Sequence, residues 1–377
     1  MRSLGSSAPG PRSSRCLERA RGLTRSGAGL AAAALAWSCV DVERDLTAAL
    51  APPPPEGRLE LPRDAGYLAD MPIQWWYWNG HLWDENRREY GFQVVAFTFR
   101  QLDGSVKQEA TFAITDIDED TFHFESLAAA GAPVKTRMGF ELVLQSEPLA
   151  ISVTGDGTGQ ARLVGRSQDH ALEHDIAPAG PAAVHFDGSA RPFSFGGWTY
   201  YYSYPLQQVS GTLTLAGDAE PLQVTGQAWF DRQYGALAPL LESTYAWIGA
   251  QLEDGRQLMI FDAAGDDFAA ITSAAGETRE LAPGTYELCW ENTRGKWRSG
   301  SSQCVYPLHF RIEVPDEHLD LRVTPAIDWQ EVTSGQPYWE GKTWVTGSAR
   351  GRAYLEVHGW CEVSDEAHRQ IAPLCSP

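Results

Sequence analysis

The chain has 377 residues, long enough for one large or two medium-sized domains with substantial cores. Its 14 Trp and 36 Gly favour β-structure with many turns over a helical bundle. The formal net charge of −19 argues against nucleic acid or an anionic membrane surface as the main partner.

Residues 1–38 are predicted to be a signal or leader segment rather than part of the folded body. Several arginines precede a short apolar run over 27–40, the order of charged and apolar regions in a secretory signal. The run is too short for a lasting transmembrane helix, which needs roughly 20 apolar residues. We therefore expect an exported protein, periplasmic or secreted. Cys39 ends the run, so a lipoprotein anchored to the membrane through this cysteine is one form of the prediction; a leader that is not a signal is the alternative.

A proline-rich tether and the folded body are predicted to follow the leader. The four consecutive prolines at 52–55 favour a stiff polyproline segment that begins no core element. The best candidate for a short helix, at 236–244, lies mid-chain, where a crossing between domains is expected. The predicted boundaries are 39–61 for the tether, 62–238 for an N-terminal domain, 239–365 for a C-terminal domain and 366–377 for a tail.

Alternation with a period of two dominates the chain from residue 73 onward. Over 306–314, Tyr, Leu, Phe, Ile and Val alternate with Pro, His, Arg and Glu, which is the pattern of a strand with one buried face. Glycine turns such as 155–159 and 253–255 separate similar stretches. Short strands with frequent turns are typical of β-barrels and β-sandwiches.

Four cysteines remain once the leader is set aside, and all lie near the C-terminus. An exported context permits disulfides, and four cysteines allow three pairings. We favour two short local loops, Cys289–Cys304 and Cys361–Cys375, with buried free thiols as the alternative. No Cys or His spacing suggests zinc, so no metal is predicted.

Seven motifs in chain order give the sequence a resemblance to a known family. They include QWWYWNGHL at 74–82, GQAWFDRQYG at 226–235 and YWEGKTWVTG at 338–347. Over roughly residues 62–362 the chain resembles the carotenoid 1,2-hydratase/AttH-like family of lipocalin-like proteins. The resemblance implies an all-β fold of two tandem lipocalin-like β-barrel domains, with an apolar cavity in or between them.

The functions found in this family are mixed, so the resemblance implies a class of reaction rather than one reaction. It includes hydratases of polyene carotenoids and relatives that cyclise polyene or terpenoid intermediates, and its members are often labelled secreted hydrolases. We expect a hydrophobic small-molecule partner, hydration or cyclisation of that molecule, no organic cofactor and no nucleic acid. A non-catalytic lipid carrier and a secreted hydrolase are the alternatives.

The chain departs from the family pattern where relatives usually carry ionisable groups. Gln74 stands in place of a glutamate, and Thr111 stands where a histidine is common. The three residues after Asp231 read Arg-Gln-Tyr in place of His-Glu-Trp. The loss of groups that exchange protons near pH 7 counts against a hydrolase with a histidine base.

Two carboxyl groups are the candidate catalytic acids. Protonation of an alkene needs an acid that is held neutral until it reacts, and burial among aromatic side chains raises the pKa of a carboxyl group. Aromatic faces can also shelter the resulting carbocation, whereas a pericyclic cyclase needs only a shaped cavity and a hydrogen-bond donor. Asp231 is the first candidate, with an ion pair or a turn cap as its structural alternative. Glu340 is the second, with a hydrogen bond that closes the second barrel as its alternative.

Aromatic side chains are the candidate walls of the cavity. Alternation along 74–81 places Gln74, Trp76 and Trp78 on one face, predicted to point into the first barrel, and the intervening residues in packing or at a domain interface. Gln74 and Asn79 are candidate hydrogen-bond donors to a ligand carbonyl. Plain core packing is the alternative for each wall residue. The candidate substrate-binding residues are Gln74, Trp76, Trp78, Tyr201, Tyr202, Trp229, Tyr245, Trp247 and Trp339.

Overall fold

The predicted leader, most of the predicted tether and most of the tail lie outside the residues that the computed structural model describes, and so does Cys39. Leu59, close to the start of the described residues, is buried, and its N–H donates to the Gly188 carbonyl. Within the described part of the chain, no helix is long and apolar enough to cross a membrane. The described residues are 57–137, 139–263, 265–292, 295–361 and 373–375.

Thirteen strands of the described chain form the first sheet. They are β1 (Ile73–Asp84), β2 (Glu89–Arg100), β3 (Val106–Asp116), β4 (Thr121–Ala130), β5 (Val134–Lys135), β6 (Phe140–Ser146), β7 (Leu149–Gly155), β8 (Ala161–Arg166), β9 (Ala171–Pro178), β10 (Ala183–Val184), β11 (Arg191–Pro192), β12 (Trp198–Thr214) and β13 (Leu222–Ala236). The pairing is antiparallel, and β13 returns to lie between β1 and β12. The sheet curls until β4 contacts β6 and β7, which gives a half-barrel.

Twelve further strands of the described chain follow. They are β14 (Tyr245–Leu252), β15 (Gln257–Asp262), β16 (Phe268–Thr272), β17 (Thr278–Leu281), β18 (Glu287–Trp290), β19 (Trp297–Arg298), β20 (Val305–Tyr306), β21 (Phe310–Val314), β22 (Leu319–Pro325), β23 (Glu331–Val332), β24 (Tyr338–Gly347) and β25 (Gly351–His358). All but β19 and β20, which pair with each other, form a second antiparallel sheet in which β25 lies between β14 and β24. The two curled sheets confirm the predicted all-β class.

Helical structure is confined to short pieces in the described residues. One α-helix, α1 (Ala238–Glu242), links the two sheets and is followed by β14. It overlaps the predicted short helix at 236–244. Short 3-10 turns lie at Arg63–Ala65 and Pro315–Glu317, and a further turn at His185–Gly188 has positive φ angles at Phe186 and Asp187.

Each half-barrel has its own apolar core on its inner face. In the first, Trp76 stacks on Phe140 with ring centroids 4.0 Å apart, and Trp78 packs on Phe230 at 4.5 Å. The second core contains Trp339 among the aliphatic side chains of β14, β21, β22 and β25. Strands with a strict period of two can bury one face in this way and still present the other face to a neighbour.

A third cluster of buried side chains fills the space between the two sheets. Tyr77, Tyr201 and Trp229 of the first sheet contact the cluster formed by residues such as Trp247 and Phe261 of the second. The outer faces, which an isolated barrel would expose to water, are therefore buried against each other. This layer is the setting of the candidate active site.

The disulfides are Cys289–Cys375 and Cys304–Cys361, so the predicted pairings Cys289–Cys304 and Cys361–Cys375 are wrong. The reason is a contact that sequence distance does not reveal. The C-terminal segment lies parallel to the end of β18, with backbone hydrogen bonds on both sides of Trp290. That contact places residue 375 beside Cys289.

Non-reducing peptide mapping should recover Cys289–Cys375 and Cys304–Cys361 peptides. Replacing Cys304 and Cys361 together by serine should lower the free energy of unfolding by about 4 kcal/mol, since the bond spans a sequence separation of 57 residues. Chemical denaturation in oxidising buffer measures the difference, which should vanish under reducing conditions. A Cys289–Cys304 peptide would contradict this part of the fold.

Candidate active site

The strand register brings polar side chains of the first sheet onto the face that meets the second sheet. Tyr77 on β1 is paired with Asp231 on β13, and Asp231 is in turn paired with Ser203 on β12. Asn79, two residues further along β1, is paired with Trp229. Residues at paired positions share a face, so these five side chains form a row that points away from the first core.

Asp231 is fully enclosed in this row by hydrogen-bond donors. Its Oδ1 accepts from Ser203 Oγ at 2.6 Å and from Trp229 Nε1 at 2.7 Å, and its Oδ2 accepts from the Tyr201 hydroxyl at 2.5 Å. Burial raises the pKa of Asp231 to about 6, while these donors oppose the rise because they favour the ionised form. Asp231 is thus a buried hydrogen-bond acceptor that fixes the orientation of its neighbours.

His185 extends the chain of hydrogen bonds beyond Asp231. Its Nε2 lies 2.9 Å from Ser203 Oγ, and the single Ser203 proton is donated to Asp231, so the His185 proton is on Nε2. The Nδ1 atom is buried with no partner among the described residues. Burial lowers the pKa of His185 to about 3, so the ring is neutral. In a hydrolytic triad serine donates to histidine; here it donates to the carboxylate, so Ser203 is not activated as a nucleophile.

The second sheet contributes two carboxyl groups that face each other. Glu340 on β24 and Glu356 on β25 occupy paired positions, which places their Cβ atoms about 5 Å apart. Glu340 accepts a hydrogen bond from Gln93 Nε2 of the first sheet at 2.8 Å. Glu356 accepts one from the Tyr245 hydroxyl at 2.6 Å. Glu340 is buried in the layer between the sheets, with 2% of its surface exposed, whereas Glu356 is half-buried.

Burial and mutual repulsion keep this pair partly protonated. Burial raises the pKa of Glu340 well above its usual range, and the charge of Glu356 raises it further. The nearby hydroxyls of Tyr77 and Tyr338 oppose the rise only in part. Burial raises the pKa of Glu356 to about 7, against the effect of the Tyr245 hydroxyl. Burial and repulsion therefore favour a proton on the pair at a pH at which an ordinary glutamate is ionised.

Aromatic rings surround the carboxyl groups on both sides. Trp247 is paired with Glu356 across β14 and β25, and its ring meets those of Tyr77 and Trp229 edge to face, with centroids 5.8 and 5.9 Å apart. Trp247 Nε1 also donates to the Tyr201 hydroxyl at 3.2 Å. The electron-rich faces of such rings attract positive charge. The site thus combines a protonated acid with groups that can stabilise a cation.

A second polar cluster holds the two sheets together beside the carboxyl pair. Lys342, two residues after Glu340 on β24, is fully buried and lies 2.7 Å from both Glu89 Oε1 and His81 Nδ1. Arg352 also binds Glu89. Burial lowers the pKa of Lys342 to about 7, and the Glu89 carboxylate limits the fall. These contacts join β1 and β2 to β24 and β25, and so fix the register of the facing sheets.

The structure brings together only part of the sequence-predicted set. Asp231, Glu340, Tyr201, Trp229, Tyr245 and Trp247 lie in or beside the layer between the sheets. Trp76, Trp78 and Tyr202 lie in the first core, and Trp339 lies in the second. The remaining candidate is Gln74.

Gln74 makes hydrogen bonds within the protein through both ends of its amide. Its Oε1 accepts from Leu68 N–H at 3.0 Å and from Arg232 Nη2 at 2.8 Å, and its Nε2 donates to the Leu68 carbonyl at 2.7 Å. Arg232 is itself fully buried, with its guanidinium over the Trp76 ring. Gln74 therefore supports a buried arginine and the entry to β1.

A small pocket on the inner face of the first half-barrel is lined by Trp76, Trp78, Tyr202 and Phe230. Its volume is about 20 Å³, which is room for about one water molecule. Although three of the predicted wall residues line this pocket, it has no room for a polyene. The ionisable groups described above lie on the opposite face of the sheet.

Several residues of the site are not among the sequence-predicted ones, above all Glu356, Gln93, His185 and Ser203. Glu356 alternates with the buried Leu355 and Val357, so a period of two assigns it to a solvent-facing position. One sequence signal could have revealed Glu356. The polar face of β24 and β25 also carries many aromatic residues, which indicates that another part of the protein covers this face. Within the described ranges, no group of three or more His, Cys, Asp or Glu side chains has an arrangement that could hold a metal ion.

Comparison with known proteins places this architecture in a family. The sequence profile of the AttH-like family matches residues 52–360. None of the curated proteins matches the sequence. A solved AttH-type protein from Nitrosomonas europaea is 28% identical, with a TM-score of 0.69 and coverage of 82% of this chain and 100% of that chain.

Two more distant structures share the architecture. Kievitone hydratase from Nectria haematococca is 16% identical, with a TM-score of 0.63 and coverage of 81% of this chain and 94% of that chain. CghA, solved with Sch210972, is 12% identical, with a TM-score of 0.53 and coverage of 83% of this chain and 98% of that chain. Together these likenesses confirm the predicted all-β, lipocalin-like fold, and the structure shows each predicted barrel as a half-barrel.

The raised carboxyl pKa values should make stability fall as the pH rises. The folded chain keeps protons that the unfolded chain releases above its ordinary glutamate pKa, so the favourable contribution is complete below that value and lost by the folded pKa of about 7. Relative to Glu356→Gln, the wild type should lose about 3 kcal/mol of unfolding free energy between about pH 4 and pH 8. Urea denaturation across this range measures the loss. A difference that is independent of pH would contradict the buried pair.

Proposed function

We propose, since the chain belongs to the AttH-like family, that it is a hydratase or cyclase that protonates a carbon–carbon double bond of a hydrophobic small molecule. The observation that carries this proposal is the pairing of Glu340 with Glu356 inside an aromatic layer. A pair of carboxyl groups that shares one proton offers an acid and a base at the same place.

In the proposed hydration, Glu340 is the acid and Glu356 is the base. The π electrons of the alkene take the Glu340 proton and form a new C–H bond, which leaves a cation on the neighbouring carbon. A water oxygen then bonds to that carbon, and Glu356 takes the proton that the water releases. Transfer of this proton from Glu356 to Glu340 restores the starting state. The net reaction adds one water across the double bond.

Cyclisation follows from the same groups when the cation is captured within the substrate. An internal alkene or hydroxyl group forms the new bond in place of water, and Glu356 removes the final proton. The rings of Trp229 and Trp247 support either course, because they can stabilise the cation without reacting as a base. Exclusion of bulk water favours cyclisation, whereas a held water favours hydration.

Asp231 is proposed to act as a positioning residue. The hydrogen bonds that its carboxylate accepts hold Tyr201 and Trp229 in place, and its charge raises the pKa of Glu356. A carboxylate that accepts three hydrogen bonds has no proton ready for an alkene. Glu340 is therefore the better supported acid of the two predicted candidates.

Replacing either member of the pair should remove most of the activity. Glu340→Gln removes the acid and Glu356→Gln removes the base, and each should lower kcat by about 10²- to 10⁴-fold. The matched control is Glu331→Gln, a buried glutamate that bonds Ser302 and Tyr306 on the inner face of the second half-barrel. Turnover is measured by mass spectrometry on a panel of polyenes and prenylated aromatic compounds.

The product mass separates the outcomes of this experiment. Hydration adds the mass of one water, cyclisation leaves the mass unchanged, and either reaction in D2O places one deuterium on the carbon that is protonated. Compounds that bind and are recovered without chemical change would favour a non-catalytic carrier and contradict the enzymatic proposal. Activity that survives in both Gln variants would show that the acid lies elsewhere.

The pH dependence should report the shared proton. Turnover requires Glu356 ionised and Glu340 protonated, so kcat/KM should rise with pH up to about 7 and fall again only as Glu340 loses its proton. Rate measurements on the wild type across the neutral range test this shape. A rate that falls steadily from pH 5 upward would contradict the assignment of Glu356 as the base.

A further inference from the structure

Two amide groups beside the carboxyl pair are buried with hydrogen-bonding capacity unused. Asn79 and Gln93 are each 1% exposed. Asn79 Nδ2 and Gln93 Oε1 have no hydrogen-bond partner among the described residues. A buried polar atom without a partner destabilises the fold, so such atoms call for an explanation.

The register places the two amide side chains next to each other at the proposed site. Asn79 on β1 is paired with Gln93 on β2, and Trp229 lies on the other side of Asn79. Gln93 Nε2 is held by Glu340 at 2.8 Å, so its Oε1, on the opposite side of the planar amide, is directed away from that carboxyl group. A side chain with an unused donor, Asn79, thus neighbours one with an unused acceptor, Gln93, and Gln93 bonds the proposed acid Glu340.

Another buried amide on the same strand shows that the fold can satisfy such a group. Gln74 is 0% exposed, yet its amide makes three hydrogen bonds, to Leu68 and Arg232. Buried polar atoms without a partner also occur in the two cores, at Trp78 Nε1 and Trp360 Nε1 for example. Asn79 and Gln93 differ from these because an unused donor and an unused acceptor occur at paired positions, and Gln93 bonds Glu340.

We infer that this pair of amides recognises a substrate head group with a carbonyl oxygen and a hydroxyl group on neighbouring carbon atoms. The carbonyl oxygen accepts from Asn79 Nδ2, and the hydroxyl donates to Gln93 Oε1. This inference rests on the proposed function and narrows its substrate to oxygenated compounds such as hydroxy-ketones. A hydrocarbon polyene would leave both amides unpaired. Because Gln93 also bonds Glu340, the double bond that is protonated lies within a few atoms of this head group.

The first experiment asks whether Asn79 lacks a partner in the ligand-free protein. Asn79→Leu removes an amide that has no hydrogen-bond partner, so the midpoint of thermal unfolding should stay the same or rise. Gln74→Leu is the matched control. It should lower the midpoint, because the buried groups of Arg232 and Leu68 lose their hydrogen-bond partner. An Asn79→Leu midpoint lowered as far as that of Gln74→Leu would show that Gln93 or a buried water satisfies Asn79, and would overturn the inference.

The second experiment tests the head group with two ketones that share one skeleton. Benzoin carries a hydroxyl group next to its carbonyl, deoxybenzoin lacks it, and neither has an alkene to protonate. By calorimetric titration the wild type should bind benzoin at least about tenfold more tightly than deoxybenzoin. Asn79→Leu should weaken the binding of both ketones, because both carry the carbonyl group, and Gln93→Leu should abolish the preference for benzoin. Equal affinities in the wild type, no measurable binding of either ketone, or a preference that survives in Gln93→Leu would overturn the inference.

The outcomes separate this inference from the proposed function. A protein that hydrates or cyclises alkenes through Glu340 but binds both ketones equally refutes only the head-group assignment. A protein that shows the benzoin preference but has no alkene chemistry refutes only the acid–base assignment.

Discussion

Two glutamates that face each other across neighbouring strands, at the contact between the two sheets, impose the main constraint on this molecule. If Glu340 and Glu356 were both ionised, two like charges would stand about 5 Å apart in a poorly screened environment. Ionisation of both groups would therefore oppose the packing of the sheets, which favours a pair that keeps a proton. The same constraint supports the proposed chemistry, because a proton kept at neutral pH is available to a substrate.

The rest of the layer is arranged around this pair. On one side, Lys342, His81, Glu89 and Arg352 bind the two sheets through a network of buried charges and neutral acceptors. On the other side, Asp231 gathers three donors and orders the aromatic side chains. The first cluster bridges strands that are distant in sequence, whereas the donors of Asp231 all lie on the neighbouring strands β12 and β13 of the first sheet. The candidate site thus depends on contacts between the sheets and on the register within the first sheet.

Much of the architecture follows from local sequence, and much of the site does not. Alternation around Trp76 and Trp78 predicts strand β1 and which of its faces is buried in a barrel, because side-chain direction is a local property. The same rule fails for Glu356, since it cannot tell a face exposed to water from one covered by another sheet. Motifs pointed to Asp231 and Glu340 separately. Their setting depends on pairings such as Glu340 with Gln93, 247 residues apart, which no local pattern encodes.

The cysteines illustrate the same limit. Short loops predict local bonds, yet the structure pairs Cys289 with Cys375 across 86 residues because the C-terminal segment returns to β18. Gln74 shows the converse case. Its amide is predicted from the sequence to contact a ligand, but it bonds Arg232 and has a structural role, and the proposed acids stand elsewhere.

Whether the carboxyl pair keeps a proton at neutral pH can be measured directly. Carbon-13 NMR of protein labelled at the glutamate side-chain carboxyl, assigned with Glu340→Gln and Glu356→Gln, follows each group as the pH changes. One resonance should stay at the protonated position through pH 7, and the other should titrate near neutrality. Two resonances that both titrate in the ordinary glutamate range would contradict a shared, buried proton.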